Sequence, residues 1–302
     1  QDNGFIDDLP YAKEVADHLK VNLEVVTVNS NQIADDLQSM VIQLDEPLAD
    51  LASLNVRYIS QLAKSQGIKV LLSGAGGDDI FTGYRRHTAL KYHHLLNNFF
   101  FTNQKLPVEE YLRLFPNNSI MRKFKKFINA HDGDLDQTIL NYFLWNKDSD
   151  IYELFSDNSK KEFKLSSNRI PMMSHINNLP ENFLPLEKML SVDQRFFLTD
   201  HNLNYNDKMS MQAGVEVRVP FLSANLVEFV SKVPMKYKQG LFSGKKILKE
   251  AMKNNIPHNL IYRKKTGFGL PIRSWIKKDL KPLIEVHLSR SSIKNRGIFD
   301  YM

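Results

Sequence analysis

The chain has 302 residues, a formal net charge of +6 and ordinary shares of apolar (42%) and charged (25%) residues. That excludes a disordered chain and allows one large domain or two modest ones. It contains no cysteine, so disulfides, thiolate-bound metals and a cysteine nucleophile are excluded within it. No apolar run reaches the ~18 residues of a membrane span. The polar, acidic start QDNGFIDDLP is unlike a signal peptide. The scattered lysines make a mild charge bias, with no basic and aromatic face for nucleic acid. The expected location is the cytoplasm. The chain does not begin with Met and is expected to be a piece of something longer.

Pro10 suits the first turn of a helix running to about Lys20, with Ala12, Val15, Ala16 and Leu19 at helical spacing. LEVVTV (23–28) is short and rich in β-branched residues, so it reads as a strand. A helical pattern spans about 31–43, and LDEPLAD (44–50) interrupts it as a loop. Ser53 is placed to cap a further helix ending at Gly67. IKVLL (68–72) reads as a strand buried on both faces of a parallel sheet. Beyond about residue 88 helical patterns dominate, at 121–130, 136–145, 185–200, 225–233 and 245–255. The order strand, helices, strand is βαβ logic. The fold expected is therefore α/β, with a parallel sheet in about residues 1–88 and a large helical remainder in about 89–302.

The stretch SGAGGDD (73–79) follows the second strand, at the sheet edge where open α/β sheets bind ligands. Its glycines let backbone N–H groups come close to an anion. Asp78 and Asp79 would repel a bare phosphate but suit a Mg²⁺ held between carboxylate and phosphate. The loop thus fits a magnesium nucleotide, or else a glycine-rich turn whose aspartates complement a helix N-terminus. It lacks the Gly-Lys-Ser/Thr of a Walker loop.

Farther on, Glu216 and Arg218 in VEVRV share a strand face and read as a structural ion pair. Met209 and Met211 read as core. GKKILKEAM (244–252) opens a helix with two lysines, which serve either as phosphate contacts or as a solvated face. RKKTGFGLPIRSW (263–275) reads as an ordered turn. His87, His93 and His94 match no zinc spacing and read as packing or surface residues.

Together these stretches resemble the synthetase domain of glutamine-dependent asparagine synthetases. LLSGAGGDDIFTGYRRH is similar to that family's strand and SGEGSDE or SGDGGDE element. NDKMSMQAGVEVRVPFLS is similar to its RMSM and RVPFLD segment, GKKILKEAM to its GK-LLR-A motif, RKKTGFGLP to its R-K-GF-P turn and LDEPLAD to its DEP-AD loop. Order and spacing agree across nearly the whole chain. The resemblance implies a sheet of the adenine-nucleotide α-hydrolase type. It implies activation of a carboxylate by Mg-ATP, then attack by ammonia from a glutaminase domain, giving an amide, AMP and pyrophosphate. It implies that Ser73, Gly74 and Gly76 line the nucleotide, that Asp78 with Asp79 holds Mg²⁺, and that Lys245, with Lys246 as the alternative register, neutralises charge on the phosphates. Lys245 and Asp78 are the catalytic candidates. The resemblance allows a homodimer and implies neither nucleic-acid nor membrane partners.

Four departures accompany the resemblance. Ala75 stands where synthetases often carry an acid, so Glu46, Asp45 or Asp79 takes that role or the acceptor differs. Ser223 replaces the Asp that ends VPFLD, a change read as structural. The glutaminase domain and the SGGxDS loop are not found, and both are expected upstream. Aspartate is the default acceptor. The alternatives are a sugar acid of surface-polysaccharide synthesis and a non-catalytic nucleotide-binding module.

Overall fold

The computed structural model describes residues 8–100, 119–131, 134–162, 169–241, 243–263 and 272–301, and these are mostly helical. Helix α1 (Leu9–Leu19) holds Pro10 in its first turn, where a missing N–H costs no intrahelical bond. Helix α2 (Ser30–Leu44) starts at Asn29, whose side-chain oxygen accepts from the Gln32 N–H. Helix α3 (Ala52–Ser65) is not capped by Ser53. The Asp50 carboxylate accepts from the Ala52 N–H at 2.9 Å instead. Ser53 is buried and donates its hydroxyl to the Asp50 carbonyl at 2.8 Å.

The stretch 23–28 forms no strand. Val26 and Val28 pack against the core while Leu23 and Val25 stay exposed. The alternation expected of a strand is present, but no described neighbour supplies a ladder, and β propensity alone does not make one. Among the described residues the sheet is a single parallel pair of β1 (Val70–Leu72) and β2 (Glu216–Arg218), with Leu71 opposite Val217. Its second strand thus comes from within the stretch read as helical remainder. β1 is also not covered on both faces, for Leu72 is 73% exposed and Val70 is exposed beside it. A pair of strands leaves one face open. On that face Arg218 and Glu216 form the expected ion pair at 2.8 Å, an exposed contact that contributes little.

Three apolar clusters hold the described residues together. The first joins Ile33, Met40 and Leu44 of α2, Leu54 and Tyr58 of α3, and Tyr205 and Met209 of the helix Asn204–Gln212. The second gathers Leu90 of helix α5 (Arg85–Phe100), Ile139, Leu140, Ile176, Met189 and Val192. The third is small and central to the site. Ile80 and Phe81 pack with Val230, Phe221 and Leu222, and with Ile247 and Leu248 of the helix Lys246–Met252. Between the second cluster and Asn204 the chain winds as a π-helical segment, Asp193–Leu203. Periodicity alone reads that stretch as ordinary helix.

Met209 is fully buried as expected, but Met211 is 54% exposed and is not core. Met209→Ala is expected to lower stability by about 2–5 kcal/mol, because the cavity adds to the lost transfer energy. Met211→Ala is expected to stay within about 0.5 kcal/mol. Urea denaturation of the two variants checks both.

Candidate functional site

The loop Ser73–Gly76 leaves the carboxyl end of β1, tied to β2 by the Ser73 N–H donating to the Arg218 carbonyl at 2.8 Å. It enters the short helix α4 (Gly77–Ile80) through Gly76 at φ +83. A Cβ on Gly76 would lie 2.4 Å from the Leu222 side chain. That glycine therefore serves the turn and the packing of Pro220–Leu222. Gly74 differs, for a Cβ there meets nothing within 4 Å. Its open side lies in a cleft of about 670 Å³ that is also lined by Ser73, Ala75, Asp50, Tyr84 and Asn202.

A second cleft of about 510 Å³ adjoins it, lined among others by Arg85, Lys245, Lys249 and Arg263. Asp78 and Tyr84 line both. Here Lys245 Nζ stands 2.7 Å from Asp78 Oδ1. The register alternative Lys246 is exposed. The pair depends on the backbone around it. The Lys245 N–H donates to the Phe81 carbonyl at 2.8 Å, and the Gly83 N–H to the Asp78 carbonyl at 2.8 Å. A Cβ on Gly83 would fall 1.7 Å from Asp78 Oδ1 and 2.4 Å from Lys245 Cε. One on Gly244 would fall 1.7 Å from the Thr82 carbonyl oxygen. Thr82 and Lys245 themselves adopt left-handed backbone, at φ 62 and φ 59. Each is a strained conformation for a side-chain-bearing residue, and such strain gathers at functional sites.

Helix α5 carries the other side of this arrangement. Its Tyr92 hydroxyl donates to the Leu241 carbonyl at 2.8 Å, its Lys91 to the Gly240 carbonyl at 3.2 Å, and its Thr88 hydroxyl accepts from Gln239 at 3.0 Å. The strand of chain leading to Lys245 is thus held along α5.

Asp79 is adjacent to Asp78 but turns elsewhere. It is only 1% exposed. Both carboxylate oxygens accept from the Tyr84 hydroxyl at 3.2 Å, and Asn202 donates to that same hydroxyl at 3.1 Å. Burial first, then the charge of Asp193, push the Asp79 carboxyl up to about 7, against which the Tyr84 hydrogen bond pulls it down. Burial and the nearby carboxylates likewise raise the Tyr84 phenol. Asp193, from the π segment, is fully buried against Arg86, and its Oδ2 is hydrogen-bonded to His87 Nε2 at 2.7 Å. The Arg86 guanidinium also stacks over Tyr84, Phe143 and Phe197. His87 and His93 are buried packing residues, as their spacing implied; the His94 side chain and residues 264–271 lie outside the described residues.

Of the carboxylates considered as stand-ins for an acid at Ala75, Asp45 pairs with Lys208 and Glu46 is exposed. Asp79 lines the larger cleft, and so does Asp50, which sequence reasoning passed over. Gly83, Gly244, Tyr84 and Asn202 were also passed over. The glycines stand inside quoted motifs, FTGY and GKK, yet only the distances show what they make room for. Asn202 has no sequence signal, because its place depends on the π-helical winding, a feature that recurs at functional sites.

The asparagine synthase family model matches residues 2–302. The chain belongs to the asparagine synthase family. It is 26% identical to asparagine synthetase [glutamine-hydrolyzing] 1 of Bacillus subtilis over 90% of this chain and 42% of that protein. It is also 26% identical to a putative asparagine synthetase of Mycobacterium bovis, over 83% of this chain and 37% of that one. Amidase chyE of Penicillium rubens is 25% identical over 100% of this chain and 47% of that protein. The chain spans under half the length of these relatives. Among the described residues no helix is long and apolar enough to cross a membrane, and no group of three or more acidic or histidine side chains is arranged to hold a metal ion alone.

Two outcomes follow from this geometry. Gly83→Ala is expected to separate Lys245 from Asp78, and Gly74→Ala to leave the fold and that pair intact; crystal structures of the two variants check both. Asp79 has a folded pKa raised above its unfolded value, so its contribution is fully present below pH ~4 and is lost as pH rises through about 7. Asp79→Asn is therefore expected to gain on the parent by roughly 1–3 kcal/mol between pH 5 and pH 8, read by chemical denaturation at each pH.

Proposed function

We propose that this chain catalyses ATP-dependent amide formation. A carboxylate oxygen attacks the α-phosphorus of ATP and pyrophosphate leaves. Ammonia then attacks the acyl carbon, and AMP leaves as the C–N bond forms. The observation that carries this reading is the Lys245–Asp78 pair, set where two clefts meet beyond a parallel strand.

The residues present fit a magnesium nucleotide. Gly74 offers open backbone to a ligand, and Asp78 is a single carboxylate beside a cation, which suits an ion that takes its other ligands from phosphate and water. Bound Mg²⁺ would act as Lewis acid and template for the departing phosphates. On this reading Asp78 holds the metal and Ser73 and Gly74 line the nucleotide. Gly76 shapes the turn. Lys245 neutralises charge growing on the leaving group. Asp79 is set aside as a metal ligand, because its carboxylate faces the Tyr84 hydroxyl and is half protonated near neutral pH. The two-stranded sheet is proposed to be of the adenine-nucleotide α-hydrolase type, and the ammonia to come from a glutaminase partner.

The acceptor is proposed to be aspartate. A second reading, a sugar acid, is favoured by Ala75, a half-buried methyl group lining the larger cleft that cannot move a proton. Relatives named as synthetases and as an amidase stand at 26% and 25% identity, so identity does not choose between acceptors.

The test follows pyrophosphate release by the intact protein from Mg-ATP with ammonium chloride, first with aspartate and then with sugar acids. Release that needs both a carboxylate and ammonium is expected. Lys245→Ala is expected to cut it on the order of 100-fold or more. Release absent with every carboxylate, or unchanged by Lys245→Ala, sinks the assignment.

A further inference from the structure

The larger cleft holds a histidine and a carboxylate that the proposed steps leave unused. His201 and Asp50 both line it, with Ala75, Tyr84 and Asn202. His201 Nε2 stands 3.4 Å from Asp50 Oδ2. Asp50 Oδ1 accepts from the Ala52 N–H at the start of α3, which leaves Oδ2 for the ring. His201 comes from the π-helical segment, stacked on Phe197 at 4.9 Å and edge-on to Tyr205 at 5.4 Å. The two side chains of the pair are 26% and 39% exposed, so their contact contributes little to stability.

A chain of hydrogen bonds decides which ring nitrogen carries the hydrogen. The Tyr84 hydroxyl gives its one proton to Asp79, so towards Asn202 it can only accept. Asn202 therefore turns its amide nitrogen to Tyr84, at 3.1 Å, and its oxygen to His201 Nδ1, at 2.9 Å. An amide oxygen only accepts, so Nδ1 bears the hydrogen. In the neutral ring this leaves the lone pair on Nε2, the nitrogen that faces Asp50. A lone pair against a carboxylate is a poor contact, and a proton taken up there turns it into an ion pair.

We infer that His201 is the proton acceptor of amide formation, with Asp50 as the positioning residue that meets the imidazolium. The ammonia lone pair forms the C–N bond and leaves the nitrogen positive. His201 Nε2 takes one proton from it, and AMP leaves with the electron pair of the broken C–O bond. The imidazolium then returns the proton to water. Ala75 lines the same cleft and cannot move a proton. The inference rests on the proposed function. Asp78, Asp79, Tyr84 and Tyr205 also line this cleft, Asp200 precedes His201 and pairs with Arg195, and Arg86 lies over Phe197. Of these, Asp79, pushed up to about 7 by burial first, titrates near an ordinary histidine.

Two reactions of the intact protein test it. One is exchange of labelled pyrophosphate into ATP without ammonium, and the other is amide formation with ammonium chloride. The carboxylate is aspartate, or the sugar acid that supports pyrophosphate release. His201→Asn keeps an N–H for Asn202 and removes the basic nitrogen. It is expected to cut amide formation on the order of 100-fold and to leave exchange close to the parent's. Asp50→Asn is expected to cut amide formation less, with exchange again kept. Added imidazole is expected to restore part of the amide formation lost in His201→Ala. At constant free ammonia, the parent's rate is expected to fall as pH drops through about 6.5. Asp79→Asn is expected to keep that fall and His201→Asn to lose it. Circular dichroism shows whether each variant is folded. Parent-like amide formation by folded His201→Asn overturns the inference. So does an equal loss of exchange and amide formation, or a fall with pH that disappears in Asp79→Asn. If the parent exchanges pyrophosphate but amide formation ignores His201, this inference falls alone. If no carboxylate supports exchange or release, the proposed function falls and takes this inference with it.

Discussion

Lys245 and Asp78 come from distant parts of the chain and meet at 2.7 Å, and much of the surrounding structure serves to bring them there. The third apolar cluster joins α4 to the helix Lys246–Met252 through Ile80, Phe81, Ile247 and Leu248. That burial is non-directional, so it sets proximity but not atomic placement. Placement comes from the hydrogen bond between Lys245 N–H and the Phe81 carbonyl, and from two glycines that leave no room for a side chain between the loops. The strain at Thr82 and Lys245 costs on the order of 1 kcal/mol or more each. Buried contacts of Thr82 with the Lys238 carbonyl at 3.0 Å help offset it.

Two neighbouring aspartates are given opposite surroundings by this arrangement. Asp78 has a cation against it and stays in reach of both clefts. Asp79 is buried at the floor of the larger cleft against the Tyr84 hydroxyl and near the Asp193 carboxylate, and burial first raises its pKa to about 7. Consecutive residues at a helix start point in different directions, so one residue of rotation is enough to give the two carboxylates different surroundings. Arg86 pulls the Asp79 carboxyl down only as its smallest influence, for its guanidinium is paired with Asp193 and set over three aromatic rings. A carboxylate that shares a proton with its surroundings is a poor metal ligand and a better hydrogen-bond partner for a phenol.

Legibility from sequence followed the range of the forces involved. The helices at Pro10, at about 31–43 and beyond residue 88 were readable because 3.6-residue periodicity is local, whereas the cap expected at Ser53 falls to Asp50. The glycine loop and its aspartates were readable as a site because their composition is costly anywhere else. β2 was readable as strand-like, but its pairing with β1 across most of the chain was not, since register between distant strands leaves no mark in either one. LEVVTV misled for the related reason that a strand is a property of two chains. Gly83 and Gly244 stood in plain view, yet a glycine required by a close approach looks the same as one required by a turn. The π-helical winding that places Asn202 against Tyr84 depends on tertiary packing and has no signature in the periodicity.

The two clefts also separate what the chain shares with its family from what it changes. Lys245, Asp78 and the glycines around them fall in the stretches that carry the resemblance, and Lys245 and Asp78 line the smaller cleft. Ala75 and Asp50 line the other cleft, and Ala75 is the position where the resemblance leads one to expect an acid. Ala75 lines only the larger of the two clefts, whereas Asp78 lines both. On the proposed reading, phosphate chemistry and acceptor choice are therefore governed by different walls joined at one residue. On that reading, substitutions around Ala75 would change the acceptor while Lys245 still faces the leaving group.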